Sequence, residues 1–472
     1  MNQNKNSILV LNITLALIIF VALLLRTHHL GEKSIWLDEG LSILIATQKN
    51  LNDFYLSLLF NGQQPFYHIV LSGWINLFGK AEVPCRLLSV LFGILAVFSA
   101  YKLGALLFNK NVGIVTSILT CLSVFQINSS TEARPYILLS LLSSLSFYFF
   151  TKMLRSNNPR NSVWYVVFNT LSLYNHTLGI LAIITQTICI CFLKLNKKSV
   201  YKIKLRDWFI YQFFIFILFL PWLSTLTKQL IHSPIRLSWI ANPHLSTVAN
   251  TFISYFSGQA VLFFLYLAII LYGIFIYKTK KEEIFLTSMF LLGPVIMLFL
   301  FSTILFSAYN QNYTIISCIP FYILISFGLE CFKKPIKFIL LSVIIFFLTL
   351  SIKDYFCSSF PFGHRNIQWR EASKYIDKTA LAKDLVIFYP FFIQGPCFDY
   401  YTKRTDIKKF GLGYNLNKKE INKLREIVSI YNNLWIISTQ KAPLEKIIIK
   451  ENYRTFADNS FRGIMIESYT KK

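Results

Sequence analysis

The chain has 472 residues and a formal net charge of +25, and it is 54% hydrophobic and 17% aromatic with only 15% charged residues; its mean hydropathy is +0.51. A water-soluble domain is rarely so apolar or so poor in charge, which excludes one as the whole of this chain. No basic helix is interleaved with base-stacking aromatics, so the positive balance reads as cytoplasmic loops and contact with anionic lipid, not as a nucleic-acid footprint.

Apolar runs recur at 7–25, 83–107, 112–128, 134–154, 162–175, 178–194, 207–227, 258–277, 284–306, 312–331 and 337–352. Most approach the roughly 20 residues that cross about 30 Å of hydrocarbon, so about 11 transmembrane helices are expected. The first run has no small-residue cleavage site and reads as an uncleaved anchor. Between the first two runs lies a long loop, 26–82, with three helical patterns: WLDEGLSILIATQ, LNDFYLSLLF and QPFYHIVLSGWINLFG. The last carries Tyr67, His68 and Trp74 and is too short to span. These read as helices lying in the membrane interface, roofing a cleft open to both water and lipid.

Lys/Arg-rich loops such as LKLNKKSVYKIKLRDW, YKTKKEE and CFKKPIK alternate with loops poorer in base, one of which, FSAYNQN, has none. The positive-inside rule places the N-terminus in the cytoplasm, and an odd number of spans puts the C-terminal region outside. Residues 1–352 hold ten acids: Asp207, Glu282, Glu283 and Glu330 fall on the cytoplasmic side, Glu32, Asp38, Glu39, Asp53 and Glu82 in the first outer loop, and Glu132 in the next. None is expected at mid-membrane, which argues against an ion-coupled transporter.

From 353 the pattern changes to alternating charge and short β-runs. NIQWREASKYIDK reads helix, DLVIFYP strand, NKKEINKLREIVSIY helix, NLWIIST strand, APLEKIIIKE helix and RGIMIES strand, a small α/β domain. The expected organisation is thus a transmembrane catalytic domain over 1–352 and an extracytoplasmic α/β domain over 353–472. No dinucleotide or Walker phosphate loop is present. The eight cysteines form no CxxC pattern, and an extracytoplasmic location would permit a Cys357–Cys397 disulfide.

Four sites carry candidate chemistry. In SIWLDEG, Asp38 and Glu39 follow Trp36 at a membrane boundary; they are either first-turn acids complementing a helix dipole or catalytic carboxylates facing the outer compartment. In STEARPYILL, Glu132, Arg134 and Tyr136 are either ordinary loop polarity, with Pro135 opening a helix, or an acid and a cation at the lip of the cleft. His176 in SLYNHTLG is a polar interfacial residue or a ligand contact. Arg86 in EVPCRLLS either snorkels or meets a lipid phosphate. The seven histidines are scattered with no HxxxH pair, which disfavours a zinc site.

SIWLDEGLSIL, QPFYHIVLSGWINLFGKAEVPCRLLSVLFG, STEARPYILL and SLYNHTLG, in this order over about residues 30–180, closely resemble the GT-C integral-membrane glycosyltransferases. The nearest branch looks protein-mannosyltransferase-like or lipopolysaccharide-core (Rgt-type). NQNYTIISCIPFYILI and IQWREASKYIDK…YY continue the resemblance more faintly. The resemblance implies a polyprenyl-phosphate sugar donor, a glycan, lipid or protein acceptor on the outer side, and a multi-pass protein of the inner (cytoplasmic) membrane. It maps the catalytic base to Asp38, with Glu39 beside it, and the second-loop acid to Glu132. It assigns donor-phosphate or substrate contacts to Arg86, Arg134, Tyr136, His176 and Tyr67. Some of the proteins the chain resembles carry a divalent ion near these acids, and Asp38 and Glu132, with Glu39, would offer hard oxygen ligands to one, although the resemblance does not itself assign a metal. Two departures stand out: the usual His-Pro-Pro is Gln64, Pro65, Phe66, and a late Arg-Tyr is Asn312, Tyr313.

The reaction so implied needs a base on the acceptor hydroxyl and positive charge on the phosphate, since polyprenyl phosphate is already a good leaving group. A flippase or other transporter is the alternative, with a non-catalytic relative as a third reading. A polysaccharide ligase would carry its large loop late, whereas loop 228–257, with His232, Arg236 and His244, is only moderate.

Overall fold

The computed structural model describes residues 2–156, 158–197, 199–201, 204–236, 240–276, 279–357, 367–389, 391–413, 418–439 and 453–472. In chain order the helices before residue 358 are α1 (Asn2–Thr27), α2 (Leu37–Ala46), α3 (Leu51–Asn61), α4 (Pro65–Phe78), α5 (Glu82–Leu107), α6 (Lys110–Leu122), α7 (Val124–Ser130), α8 (Tyr136–Arg155), α9 (Pro159–Asn175), α10 (Gly179–Leu195), α11 (Leu205–Arg236), α12 (Leu245–Tyr255), α13 (Ala260–Ile276), α14 (Lys281–Ile304), α15 (Cys318–Glu330, led by a 3-10 helix at Gln311–Ser317) and α16 (Lys334–Cys357). Two compact units result: Met1–His28, Gln48–Gly79 and Pro84–Cys357 form one, and His29–Thr47, Lys80–Val83 and Ser358–Lys472 form the other.

In the first unit every expected apolar run is helical, but the eleven are not equal. Seven helical stretches among the described residues are long and apolar enough to cross a membrane, and the bent pair α6–α7 makes an eighth. The 17-residue α9, α10 and α13 fall short. At 1.5 Å per residue such a helix covers only about 25 Å. The expected interfacial helices are present as α2, α3 and α4.

Local chemistry explains the boundaries. Asn50 caps α3 by accepting from the Asp53 N–H at 2.8 Å, and Pro65 supplies the first turn of α4, where its missing N–H costs nothing. The span 110–130 breaks at Ser123, whose extended backbone ends α6 and whose hydroxyl caps α7 through the Gln126 N–H at 3.2 Å. The two halves bend by 62°. That break strands carbonyls at the end of α6, and the wholly buried Arg26 of α1 donates to two of them, Thr120 at 3.3 Å and Cys121 at 3.2 Å. The core is aromatic, with Phe147 and Phe290 stacked at 4.0 Å between centroids. Helices α13 and α15 meet at Gly273 and Gly328, where a Cβ on the first would lie 2.7 Å from the Cα of the second; small residues permit this approach where no hydrophobic force drives helices together.

The second unit is built on a five-stranded sheet ordered β2-β1-β3-β5-β4, from β1 (Leu385–Tyr389), β2 (Lys408–Gly411), β3 (Asn433–Ser438), β4 (Tyr453–Phe461) and β5 (Ile464–Lys471). Its helices are α17 (Trp369–Thr379), α18 (Phe391–Tyr401) and α19 (Lys418–Ile430). Strand β1 pairs in parallel with β2 and β3, while β5 pairs antiparallel with β3 and β4. The period of two sends Val386, Phe388, Trp435 and Ile437 to one core with α17 and α18, and Leu385, Ile387, Leu434 and Ile436 to another with α19. Leu37 of α2 packs on the first of these cores. The α/β character expected from 353 onward is observed, with α18, β2 and β4 added; the helix expected over APLEKIIIKE lies outside the described residues. Cys357 and Cys397 are both free thiols, so the disulfide permitted by the expected location is not formed.

Candidate active site

The acidic motif opens α2. Asp38 and Glu39 are its second and third residues, where carboxylates meet the positive end of the helix dipole. Their environments differ. Glu39 is wholly buried, and its Oε2 reaches back to accept from the Trp36 N–H at 3.4 Å, which is half of a capping box. Asp38 is half-buried and its backbone carbonyl accepts from the Ser42 hydroxyl at 2.9 Å. Helix α2 lies close on α18 because residue 40 is glycine: a Cβ there would stand 3.3 Å from the Pro396 carbonyl group. The buried Cys397 thiol is pushed well up, first by burial and then by the Glu39 and Asp38 carboxylates, which makes it a neutral neighbour of the acids.

The other candidates lie in the first unit. Glu132 and Arg134 occupy the link between α7 and α8, with the Arg134 N–H donating to the Glu132 carbonyl at 2.8 Å. Glu132 is 6% exposed and Arg134 5%. The Arg134 guanidinium donates to the Tyr136 hydroxyl at 3.2 Å and stands 5.2 Å from that ring's centre. Tyr136, His176 and Tyr313 form a triangle of rings with centroids 5.4–6.0 Å apart. Asn175 fixes the link by donating to the Pro135 carbonyl at 3.1 Å. Tyr67 is buried with its hydroxyl 3.4 Å from Ser89 Oγ of α5, and Arg86, 3% exposed, is three residues before Ser89 on the same helix face.

Two histidines here hold opposite tautomers. His176 Nδ1 accepts from the Leu178 N–H at 3.2 Å, so Nε2 carries its proton. His68 Nδ1 faces the Gln64 carbonyl at 2.9 Å, so it carries the proton and Nε2 is an acceptor. That Nε2 is buried with no hydrogen-bond partner among the described residues. Both imidazoles are pushed down to about 4, by burial first, and Arg134 adds to the effect in each, so both are neutral at neutral pH. Gln64 is anchored too: its Nε2 donates to Thr177 Oγ1 at 3.0 Å and Gln229 Oε1 at 2.9 Å.

The structure thus brings together Arg134, Tyr136 and His176 in one unit, and Asp38 with Glu39 in the other. Sequence reasoning gave no site role to Tyr313 or His68. Tyr313 was in view only beside a motif position occupied by Asn312, and His68 only as an interfacial ring; its place one turn after Gln64 on α4 was the available signal. Among the described residues no three His, Cys, Asp or Glu side chains converge as a metal-binding group.

Residues 63–224 match the family described as dolichyl-phosphate-mannose-protein mannosyltransferase. No curated protein matches the chain. Among solved structures, ArnT from Cupriavidus metallidurans in the apo state superposes with a TM-score of 0.67 at 10% identity, over 96% of this chain and 97% of that one. The same protein bound to undecaprenyl phosphate gives 0.66 over the same shares, again at 10% identity. The archaeal oligosaccharyltransferase AglB from Archaeoglobus fulgidus, in complex with an inhibitory peptide and a dolichol-phosphate, gives 0.60 at 10% identity over 97% of this chain and 74% of that one. The chain is a multi-pass membrane protein with the GT-C fold, an all-α membrane unit accompanied by a small α/β unit, and its resemblance to the GT-C glycosyltransferases is borne out.

Proposed function

We propose that this protein is a glycosyltransferase that moves a sugar from a polyprenyl-phosphate donor to an acceptor hydroxyl on the outer face of the cytoplasmic membrane. The observation that carries the reading is Arg134, a buried guanidinium among the rings of Tyr136, His176 and Tyr313, in a chain superposing along almost its whole length on a structure bound to undecaprenyl phosphate. A desolvated cation is what a departing phosphate requires, and the aromatic faces beside it help keep it dry.

Asp38 takes the proton of the acceptor hydroxyl. The hydroxyl oxygen attacks the anomeric carbon while the bond from that carbon to the phosphate oxygen breaks, and polyprenyl phosphate leaves with the electron pair, so one transfer inverts the anomeric centre. Arg134 balances the charge that gathers on the phosphate, with Arg86 as a second cation. The neutral His176 offers its Nε2–H to the same anion, and Tyr67 and Tyr136 orient the sugar. Glu39 fixes the helix that carries Asp38, and the Glu132 carboxylate complements oxocarbenium-like charge. Asp38 and Glu132 are hard oxygen donors that suit a divalent cation, and such an ion would supply further positive charge to the phosphate. The N-terminus faces the cytoplasm in this reading, and the α/β unit and the acidic loop face the periplasmic or outer side.

The test is transfer by purified protein in lipid from radiolabelled undecaprenyl-phosphate hexoses and pentoses to a cell-envelope extract, wild type beside Asp38→Asn. Transfer by the wild type that collapses in the folded variant is the expected result and identifies sugar and acceptor together. Absence of transfer from every donor, with a related enzyme active in parallel, overturns the reading in favour of a transport or non-catalytic role.

A further inference from the structure

The segment that precedes Asp38 is fastened at Gly31, Ser34 and Ile35. The Gly31 carbonyl accepts from Arg370 Nη2 at 2.9 Å. Ser34 Oγ accepts from the Arg370 backbone N–H at 3.2 Å and donates to Glu371 Oε2 at 3.5 Å. The Ile35 N–H donates to the Tyr401 hydroxyl at 2.6 Å. Arg370 and Tyr401 are themselves joined by one carboxylate: Glu82 accepts from Arg370 Nε at 3.2 Å, from Arg370 Nη2 and from the Tyr401 hydroxyl.

These groups come from four places in the chain: residues 31–35, the first residue of α5, the second of α17 and the last of α18. All belong to the second compact unit. The Glu82 and Arg370 side chains are only 13% and 26% exposed, so the pair is worth more than a surface ion pair. Glu82 holds the Arg370 guanidinium above its ordinary range although burial opposes the charge. The Tyr401 hydroxyl is pushed up, by burial first and then by the proton it gives to Glu82, so it remains a donor. A charge-assisted fork of this kind fixes direction as well as distance. Glu82 therefore does not join the chemistry of the other outer acids: its oxygens are taken by Arg370 and Tyr401.

We propose that Arg370 and Tyr401 are positioning residues for Asp38, holding residues 31–35 so that α2 starts at a fixed point, with Glu82 locking the two together. This rests on Asp38 being the base. Helices α17 and α18 then contribute to the transfer machinery through a hydrogen-bonded frame, their Arg370 and Tyr401 acting through Asp38 and not on substrate.

The test uses full-length Arg370→Lys and Tyr401→Phe in lipid, with Asp38→Asn beside them. Lysine keeps the charge but cannot reach Gly31 and Glu82 at once, and phenylalanine keeps the ring but removes the acceptor for the Ile35 N–H. Backbone amide exchange at 35–40 is measured with that at 385–389 as an internal control, together with kcat and donor KM for undecaprenyl-phosphate hexoses and pentoses. The expected result is faster exchange at 35–40 alone, kcat lowered about 10- to 100-fold as for a misplaced catalytic group, and donor KM within about twofold. Unchanged exchange overturns the fastening whatever activity does; faster exchange with unchanged kcat overturns its functional part. Full activity in Asp38→Asn would instead overturn Asp38 as the base and leave the fastening standing on the exchange data.

Discussion

Arg26 Nη1 donates to the carbonyl oxygen of Cys121 at 3.2 Å, across the break that the chain makes at Ser123. The same guanidinium reaches Thr120 at 3.3 Å and Ser130 Oγ at 3.2 Å, so one wholly buried cation ties the end of α1 to both halves of a bent span. The link that follows α7 carries Glu132 and Arg134. Replacing Arg26 by Leu strips carbonyls of their donor in a dry environment. We expect a loss of roughly 2–4 kcal/mol, read as earlier unfolding in a detergent thermal melt, with Arg26→Lys intermediate.

Asp38 and Glu39 should separate in activity. In the proposed mechanism Asp38→Asn removes the base and should lower kcat by about 100- to 10,000-fold. Glu39→Gln keeps an oxygen for the Trp36 N–H, since glutamine serves the same place in a capping box, and should retain transfer within about tenfold. Kinetics of the two variants under saturating donor check this; equal collapse would make Glu39 a reacting group rather than a cap.

Arg134 should tolerate no replacement. Lysine there keeps a charge but loses the planar fork and the stacking on Tyr136. We expect kcat/KM to fall about 100- to 1,000-fold in Arg134→Lys, as when one donor to a developing anion is removed. Steady-state kinetics measures the loss; Tyr136→Phe, which keeps the ring and removes the hydroxyl that accepts from Arg134 at 3.2 Å, should lose far less.

The two buried histidines predict a pH dependence. Their folded values of about 4 lie below the ordinary 6.5, so between those limits the unfolded chain binds protons that the folded chain does not. Stability is therefore complete above pH 6.5 and falls as pH drops towards 4. For His68, 1% exposed, the loss is on the order of 3 kcal/mol; the more exposed His176 contributes less. A melt series from pH 7.5 to 4.5 should show the decline, and His68→Gln should flatten it.

Much of this was legible in the residues. Spans follow from runs of apolar side chains, and the interfacial helices from their 3.6-residue period and their length. SIWLDEG and STEARPY mark the acids because carboxylates are scarce elsewhere in the membrane half. Other features were hidden. The break at Ser123 is silent because serine is common in spans and because Arg26, which meets the carbonyls at the broken end, lies 94 and 95 positions before them. Glu82 looked like one more outer acid, since its partners Arg370 and Tyr401 lie 288 and 319 residues on. Strand β4, with Arg454, Asp458 and Asn459, lacks the apolar signal of a buried strand because its side chains are mostly exposed.

The bond from the Ile35 N–H to the Tyr401 hydroxyl spans 366 residues of chain. A ribosome has therefore made α1 and every later membrane helix before the residues that seat the acidic helix exist. Through most of synthesis that helix is undocked, with its carboxylates unguided. A chain that stops before Tyr401, inserted and otherwise folded, would thus be a membrane protein whose acidic helix has lost its seat.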